Sequence, residues 1–80
     1  MKRVRQNRKR QLRNSRVRSR MRTFVKKAQV LIVEGDKDAA SEAVRTAVSE
    51  IDRAAQKGVI HQNNAARRKS RLMHRYNAMA

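Results

Sequence analysis

Proline is absent from this chain, and glycine occurs at only two places, Gly35 and Gly58. Glycine takes the left-handed backbone conformation that ends a helix, so the two act as punctuation in a sequence otherwise free of helix breakers. They divide the chain into three parts. Each part reads as a helix.

In the first part, Val17, Met21, Phe24, Val25, Ala28, Leu31 and Ile32 recur at spacings of three and four, which places them on one helical stripe. Upstream the stripe vanishes, and Val4 and Leu12 are the only apolar side chains after Met1. A helix over about 4–34 would be roughly 46 Å long. Past Gly35, Asp36 is placed to cap the next helix, and Asp38 and Glu42 lie where its dipole favours negative charge. That helix, over about 37–57, carries a stripe of Ala40, Ala43, Val44, Ala47, Val48, Ile51, Ala54 and Ala55, whose alanines suit close helix–helix approach. Lys57 closes its last turn and Gly58 ends it, with Val59 and Ile60 expected to fold back as the apolar followers of a glycine cap.

The third helix, over about 62–78, starts near His61–Asn63. Its apolar side is read as Ala65, Ala66, Leu72, Met73, Tyr76 and Met79; Arg67, Arg71 and Arg75 lie opposite, with Arg68 alongside. Two short connections force consecutive helices antiparallel. The expected fold is therefore all-α: an antiparallel three-helix bundle in a single domain spanning residues 1–80. The second helix reaches only about 31 Å, so the first must protrude from the bundle by roughly three turns.

Eighty residues bury a modest core, and a chain of this size is marginal without help from a metal, a disulfide or a partner. Cysteine is absent, and His61 and His74 stand without a carboxylate cluster, so no metal or cofactor is expected. That leaves a binding partner. The formal net charge is +16, from 22 basic and 6 acidic residues. Residues 1–33 hold 13 basic side chains and no acid, residues 34–58 hold all six acids against four bases, and residues 59–80 hold five bases and no acid. Such a molecule concentrates polyanions around itself.

No segment approaches the roughly 18 consecutive apolar residues of a membrane span. The basic N-terminal stretch has no apolar core behind it, unlike a secretory signal, and holds only two serines in its first twenty residues, unlike an organellar transit peptide. A soluble, intracellular protein is expected.

Residues 1–22 include eleven lysines and arginines, among them Lys2, Arg3 and Arg5, with nothing apolar to organise them. A solvated helix normally interleaves both signs, and like charges at spacing four destabilise it. The segment is expected to be largely disordered alone and to become helical when a polyanion neutralises it. The basic face of the third helix supplies a second electropositive surface. The acids of the second helix are expected to face solvent or a protein neighbour. Two basic helices and one near-neutral one describe a wedge able to touch more than one RNA segment. Arginine heavily outnumbers lysine, and its planar fork suits bidentate phosphate contacts.

The only aromatics, Phe24 and Tyr76, fall on apolar stripes and read as core, whereas readers of single strands need exposed aromatics. His61 reads as a cap, and Asn63 and Asn64 as helix-start residues that could also touch RNA. With no nucleophile–base pair, glycine-rich phosphate loop or carboxylate pair, catalysis is not expected. The reading is a binder of structured nucleic acid that recognises backbone and shape.

Three segments resemble a known family: NRKRQLRNSRVRSRMRTFVKKA (residues 7–28), EGDKDAA (34–40) and AAQKGVIHQNNAARRKSRL (54–72). Together they are similar to the bacterial and plastid small-subunit ribosomal protein S-twenty, in order and over nearly the whole chain. Members of that family usually carry a few more small, lysine-bearing residues ahead of the segment on which Met1 opens here. The resemblance implies a three-helix bundle with a long basic first helix that binds small-subunit ribosomal RNA early in assembly. The site it implies is the bottom of the body, bridging the 5′ domain and the long penultimate stem. It further implies RNA contacts from Arg8, Lys9, Arg10, Arg13, Arg16, Arg18, Arg20, Arg22, Lys26 and Lys27 in the first helix, where Lys2, Arg3, Arg5 and Asn14 are further RNA-binding candidates. From the turn and third helix it implies contacts by Lys57, His61, Asn63, Arg67, Arg68, Lys69 and Arg71. A cytoplasmic ribosome, bacterial or plastid, would be the setting, with few direct protein contacts and no homo-oligomer.

Two other readings compete. RNSRVRSRMR superficially resembles the basic region of a zipper protein, which would make the chain a DNA-binding or nonspecific basic helical protein. A zipper needs leucines every seventh residue over several heptads, and here the helix meets Gly35 with no such ladder. A cationic membrane-surface helix needs a continuous bulky apolar face, which residues 1–16 lack.

Overall fold

The computed structural model describes residues 2–79, with side chains from Arg8 to Met79. Three helices follow one another: α1 (Lys2–Glu34), α2 (Lys37–Gln56) and α3 (Gln62–Asn77). The all-α three-helix bundle expected from the sequence is what forms.

Both glycines end helices with positive φ, 82° at Gly35 and 73° at Gly58. The N–H of Gly58 donates to the Ala55 carbonyl at 3.0 Å and that of Val59 to the Ala54 carbonyl at 2.9 Å, so two of the otherwise orphaned carbonyls of α2 are satisfied. Val59 then turns inward and is buried in the same cluster as Ala54. At the other end of α2, Asp36 caps as expected, its Oδ1 accepting the Ala39 N–H at 3.1 Å.

Helix α2 is the middle of the bundle: it meets both α1 and α3, whereas α1 and α3 meet only slightly. Its alanine face explains the closeness, since Ala40, Ala47 and Ala54 are fully buried. The core has two parts. Met21, Ile51, Ala54, Val59 and Ala65 fill the end near the α2–α3 turn. Ala28, Val44, Ala47 and Leu72 fill the other, with Phe24, Ile32 and Tyr76 packed at its edge.

Two expectations for α3 fail. Ala66 and Met73, placed on its apolar side, are exposed. Each stands one residue, about 100° of helix rotation, off the line that is actually inward, which runs through Ala65, Lys69, Leu72 and Tyr76. The half-buried Arg68 and Lys69 take places on or beside that line.

Helix α1 is continuous from Lys2, where the sequence predicts helix only on neutralisation. Arginine, lysine and glutamine are themselves strong helix formers, and that propensity runs against the charge repulsion. Among the described side chains of α1, Val17 is the first packed on the core. Residues 8–13 are exposed on every face. The molecule is accordingly 56 Å long but only 21 Å by 14 Å across.

Candidate nucleic-acid interface

Along α1, Arg8, Lys9, Arg10, Arg13, Arg16, Arg18, Arg20, Arg22, Lys26 and Lys27 are all exposed. The side chains of Lys2, Arg3 and Arg5 lie outside the described residues. Asn14 differs from its neighbours. It is half-buried, and its Oδ1 is buried with no hydrogen-bond partner.

The helix offers two kinds of surface where it leaves the bundle. On one side Lys9, Leu12, Arg13 and Arg16 line a shallow hollow with Val17 and with Lys57 from the end of α2. The fold thus brings one cation of the α2–α3 turn against three from the arm. On another side Gln11, Asn14, Ser15, Arg18, Ser19 and Arg22 line a polar groove. Among the described residues, no carboxylate lies within ion-pair distance of Arg8, Lys9, Arg10, Arg13, Arg16 or Arg22. Unpaired cations of this kind keep their full charge for an outside anion.

In the turn and α3, Lys57, His61, Asn63, Arg67 and Arg71 are exposed. His61 caps α3, its Nδ1 accepting the Asn63 N–H at 3.1 Å. Arg68 and Lys69 are half-buried and also make contacts within the molecule. Arg68 Nε donates to Asn64 Oδ1 at 2.7 Å, and Lys69 Nζ sits 2.7 Å from Asp52 Oδ1. Neither is placed as freely as Arg67 and Arg71.

Glu50 was missed by the sequence reading. Of the acids expected to face solvent or a protein neighbour, Glu34, Asp36, Asp38, Glu42 and Asp52 are exposed, but Glu50 is buried, with 6% of its surface accessible. Its Oε1 accepts from Arg20 Nε at 3.1 Å and lies 3.8 Å from Arg53 Nη1. A buried carboxylate needs such partners, since an unpaired one would lose its hydration with nothing in return. The signal was present: Glu50 stands three residues after Ala47 and four before Ala54, on the apolar stripe itself.

Phe24 packs at the core edge, as its spacing predicts, but its ring also carries two cations. The Arg20 guanidinium carbon lies 5.3 Å from the ring centroid and Lys27 Nζ lies 5.5 Å from it.

Among the described residues, no three histidine, cysteine or acidic side chains converge as a metal site. No described helix is long and apolar enough to cross a membrane.

The family model described as "Ribosomal protein S20" matches residues 1–77. The small ribosomal subunit protein bS20 of Thermomicrobium roseum is 55% identical over 76 residues, covering 95% of this chain and 77% of its own. Its counterpart in Gluconobacter oxydans is 52% identical over 79 residues, 99% of this chain and 89% of its own. That of Nitrosomonas eutropha is 53% identical over 78 residues, 98% and 90% of the two chains. A match that spans all three helices at this identity leaves one assignment: the chain belongs to the ribosomal protein S20 family.

Proposed function

We propose that this protein is a structural constituent of the small ribosomal subunit. It binds small-subunit ribosomal RNA directly and stabilises its folding and assembly at the bottom of the body. The observation that carries the reading is the protruding part of α1, where the exposed Arg8, Lys9, Arg10, Arg13 and Arg16 meet no carboxylate among the described residues, joined on the same body by the exposed Arg67 and Arg71 of α3. The names of the relatives support the ribosomal setting.

The role is mechanical rather than catalytic. Each neutralised phosphate releases counterions, so affinity falls with salt by roughly 0.7–0.9 of a log unit per contact per log of salt. Cations alone give no selectivity. Selectivity comes from offering two surfaces in fixed relation, the arm with Lys57 and the outer face of α3, so that only an RNA folded to present two matching backbones engages both. The protein acts on the cytoplasmic ribosome as a single-domain monomer and needs no cofactor. RNA candidates are the α1 cations, Lys57, His61, Asn63, Arg67, Arg68, Lys69 and Arg71, with Asn14 as the polar contact.

A competition assay at physiological salt tests this. Labelled small-subunit ribosomal RNA competes against transfer RNA and duplex DNA for the full chain. Strong preference for the ribosomal RNA is expected; equal affinity for all three would mark a nonspecific polycation.

A further inference from the structure

Resting on the RNA-binding reading above, we infer that Glu50 is a positioning residue for RNA binding, holding Arg20 as a preset fork for an RNA phosphate. Three observations converge on this pair. First, Glu50 belongs to the near-neutral helix and its side chain is 8% exposed, whereas that of Arg20 is 59% exposed. The carboxylate is thus an internal anchor and the guanidinium an external tool. Second, the bond is made through Nε of Arg20, at 3.1 Å. The two Nη groups at the far edge of the guanidinium remain for an outside acceptor, and that edge matches two phosphate oxygens. Third, the guanidinium carbon also lies over the ring of Phe24, 5.3 Å from its centroid.

An arginine fixed at Nε and against a ring loses little rotamer freedom when it binds. One waving freely loses much more. Arg13 and Arg16, by contrast, have no carboxylate partner among the described residues. The negative charge of Glu50 does not cancel the attraction, because Arg53 shares the same carboxylate oxygen at 3.8 Å. The cluster of one acid and two arginines keeps a net positive charge. Arg53 also explains how the acid tolerates burial without drawing Arg20 inward.

The test is RNA affinity of the full chain measured well below its melting temperature, with small-subunit ribosomal RNA as the probe. Arg20→Lys keeps the charge but has neither the Nε bond nor the fork. It is expected to weaken binding by about tenfold with the salt dependence unchanged, since the number of neutralised phosphates is the same. Glu50→Gln keeps the shape of the anchor and is expected to weaken binding by a similar factor. In the Arg20→Lys background, Glu50→Gln should add little further loss, because the fork it positions is already gone. A merely structural tie would lower the melting temperature and leave the affinity of the folded protein untouched. That result, or equal losses from Glu50→Gln in both backgrounds, overturns the inference while the ribosomal reading stands. An unaltered chain that shows no preference for the ribosomal RNA overturns both. Should Glu50→Gln fail to fold, Phe24→Leu removes the ring from the same guanidinium. It is expected to weaken binding with the salt dependence again unchanged, and full affinity would count against the positioning role.

Discussion

The guanidinium of Arg18 donates through Nη2 to the carbonyl oxygen of Val59 at 3.3 Å, tying α1 to the turn between α2 and α3. Val59 thereby serves three ends: its N–H caps α2, its side chain fills the core and its carbonyl holds the first helix. The bond sits where the arm leaves the bundle, so it helps set the arm's direction relative to α3. Arg18→Met keeps the aliphatic length and removes the donor. Loss of one hydrogen bond of this kind costs about 0.5–1.5 kcal/mol, which in a domain of this size lowers the melting temperature by roughly 4–8 °C per kcal/mol. Thermal circular dichroism reads the shift, and an unchanged melting temperature would show the bond to be idle in solution.

The turn itself depends on Gly58. No atom would obstruct a methyl group there, so the penalty for Gly58→Ala comes only from the backbone, held at φ 73°. A side chain in that region costs about 1–2 kcal/mol. The melting temperature should fall accordingly, and RNA affinity with it, because Val59 and Lys57 flank the same residue. Gly35→Ala carries a similar strain at φ 82° with equally open surroundings. That turn lies far from the arm and from Lys57, so the variant should lose stability while the affinity of its folded fraction stays near that of the parent. Equal loss of affinity from both would show that the α2–α3 turn has no special part in the interface.

Lys69 and Asp52 make a different kind of contact. They lie 2.7 Å apart with 36% and 51% of their side chains exposed, a geometry worth at most about 1 kcal/mol to the fold. Asp52→Asn should therefore change stability little. It also frees Lys69 and removes one negative charge beside α3, so RNA affinity at low salt should rise by a few fold. A fall would mean that Lys69 meets RNA only when Asp52 steadies it.

The architecture was legible because its determinants are local. Two glycines without any proline set the helix ends, Asp36 and His61 supplied recognisable caps, and the apolar stripes of α1 and α2 marked the inward faces, the buried Glu50 apart. The α3 stripe was less legible for a physical reason. Its inward line includes the half-buried Lys69, whose long aliphatic stem covers core while its ammonium reaches Asp52, so hydropathy alone shifted the reading toward Ala66 and Met73. The charge pattern identified the basic surfaces, but it could not say which cations are already engaged. Arg18, Arg20, Arg68 and Lys69 look like the other bases in sequence. Only the approach of Val59, Glu50, Asn64 and Asp52 separates them from Arg13 or Arg16.

The division between free and engaged cations gives the last test its control. Arg67 and Arg71 are exposed on α3, four residues apart, and Arg45 is exposed on α2. Arg53 is unsuitable for comparison, because it lies 3.8 Å from Glu50 and its reversal would disturb Arg20. Reversing Arg67 and Arg71 to glutamate should reduce ribosomal RNA affinity far more than reversing Arg45 to glutamate. It should also lower the slope of log affinity against log salt by about one to two units, one phosphate contact per arginine lost. The helix content of all the variants should match that of the parent by circular dichroism, since none of the three side chains is buried. Losses of equal size at the two faces would mean that the protein binds RNA as an undirected polycation. A loss confined to Arg67 and Arg71, with the slope reduced, would mean that α3 meets its own stretch of backbone while the α1 arm holds another.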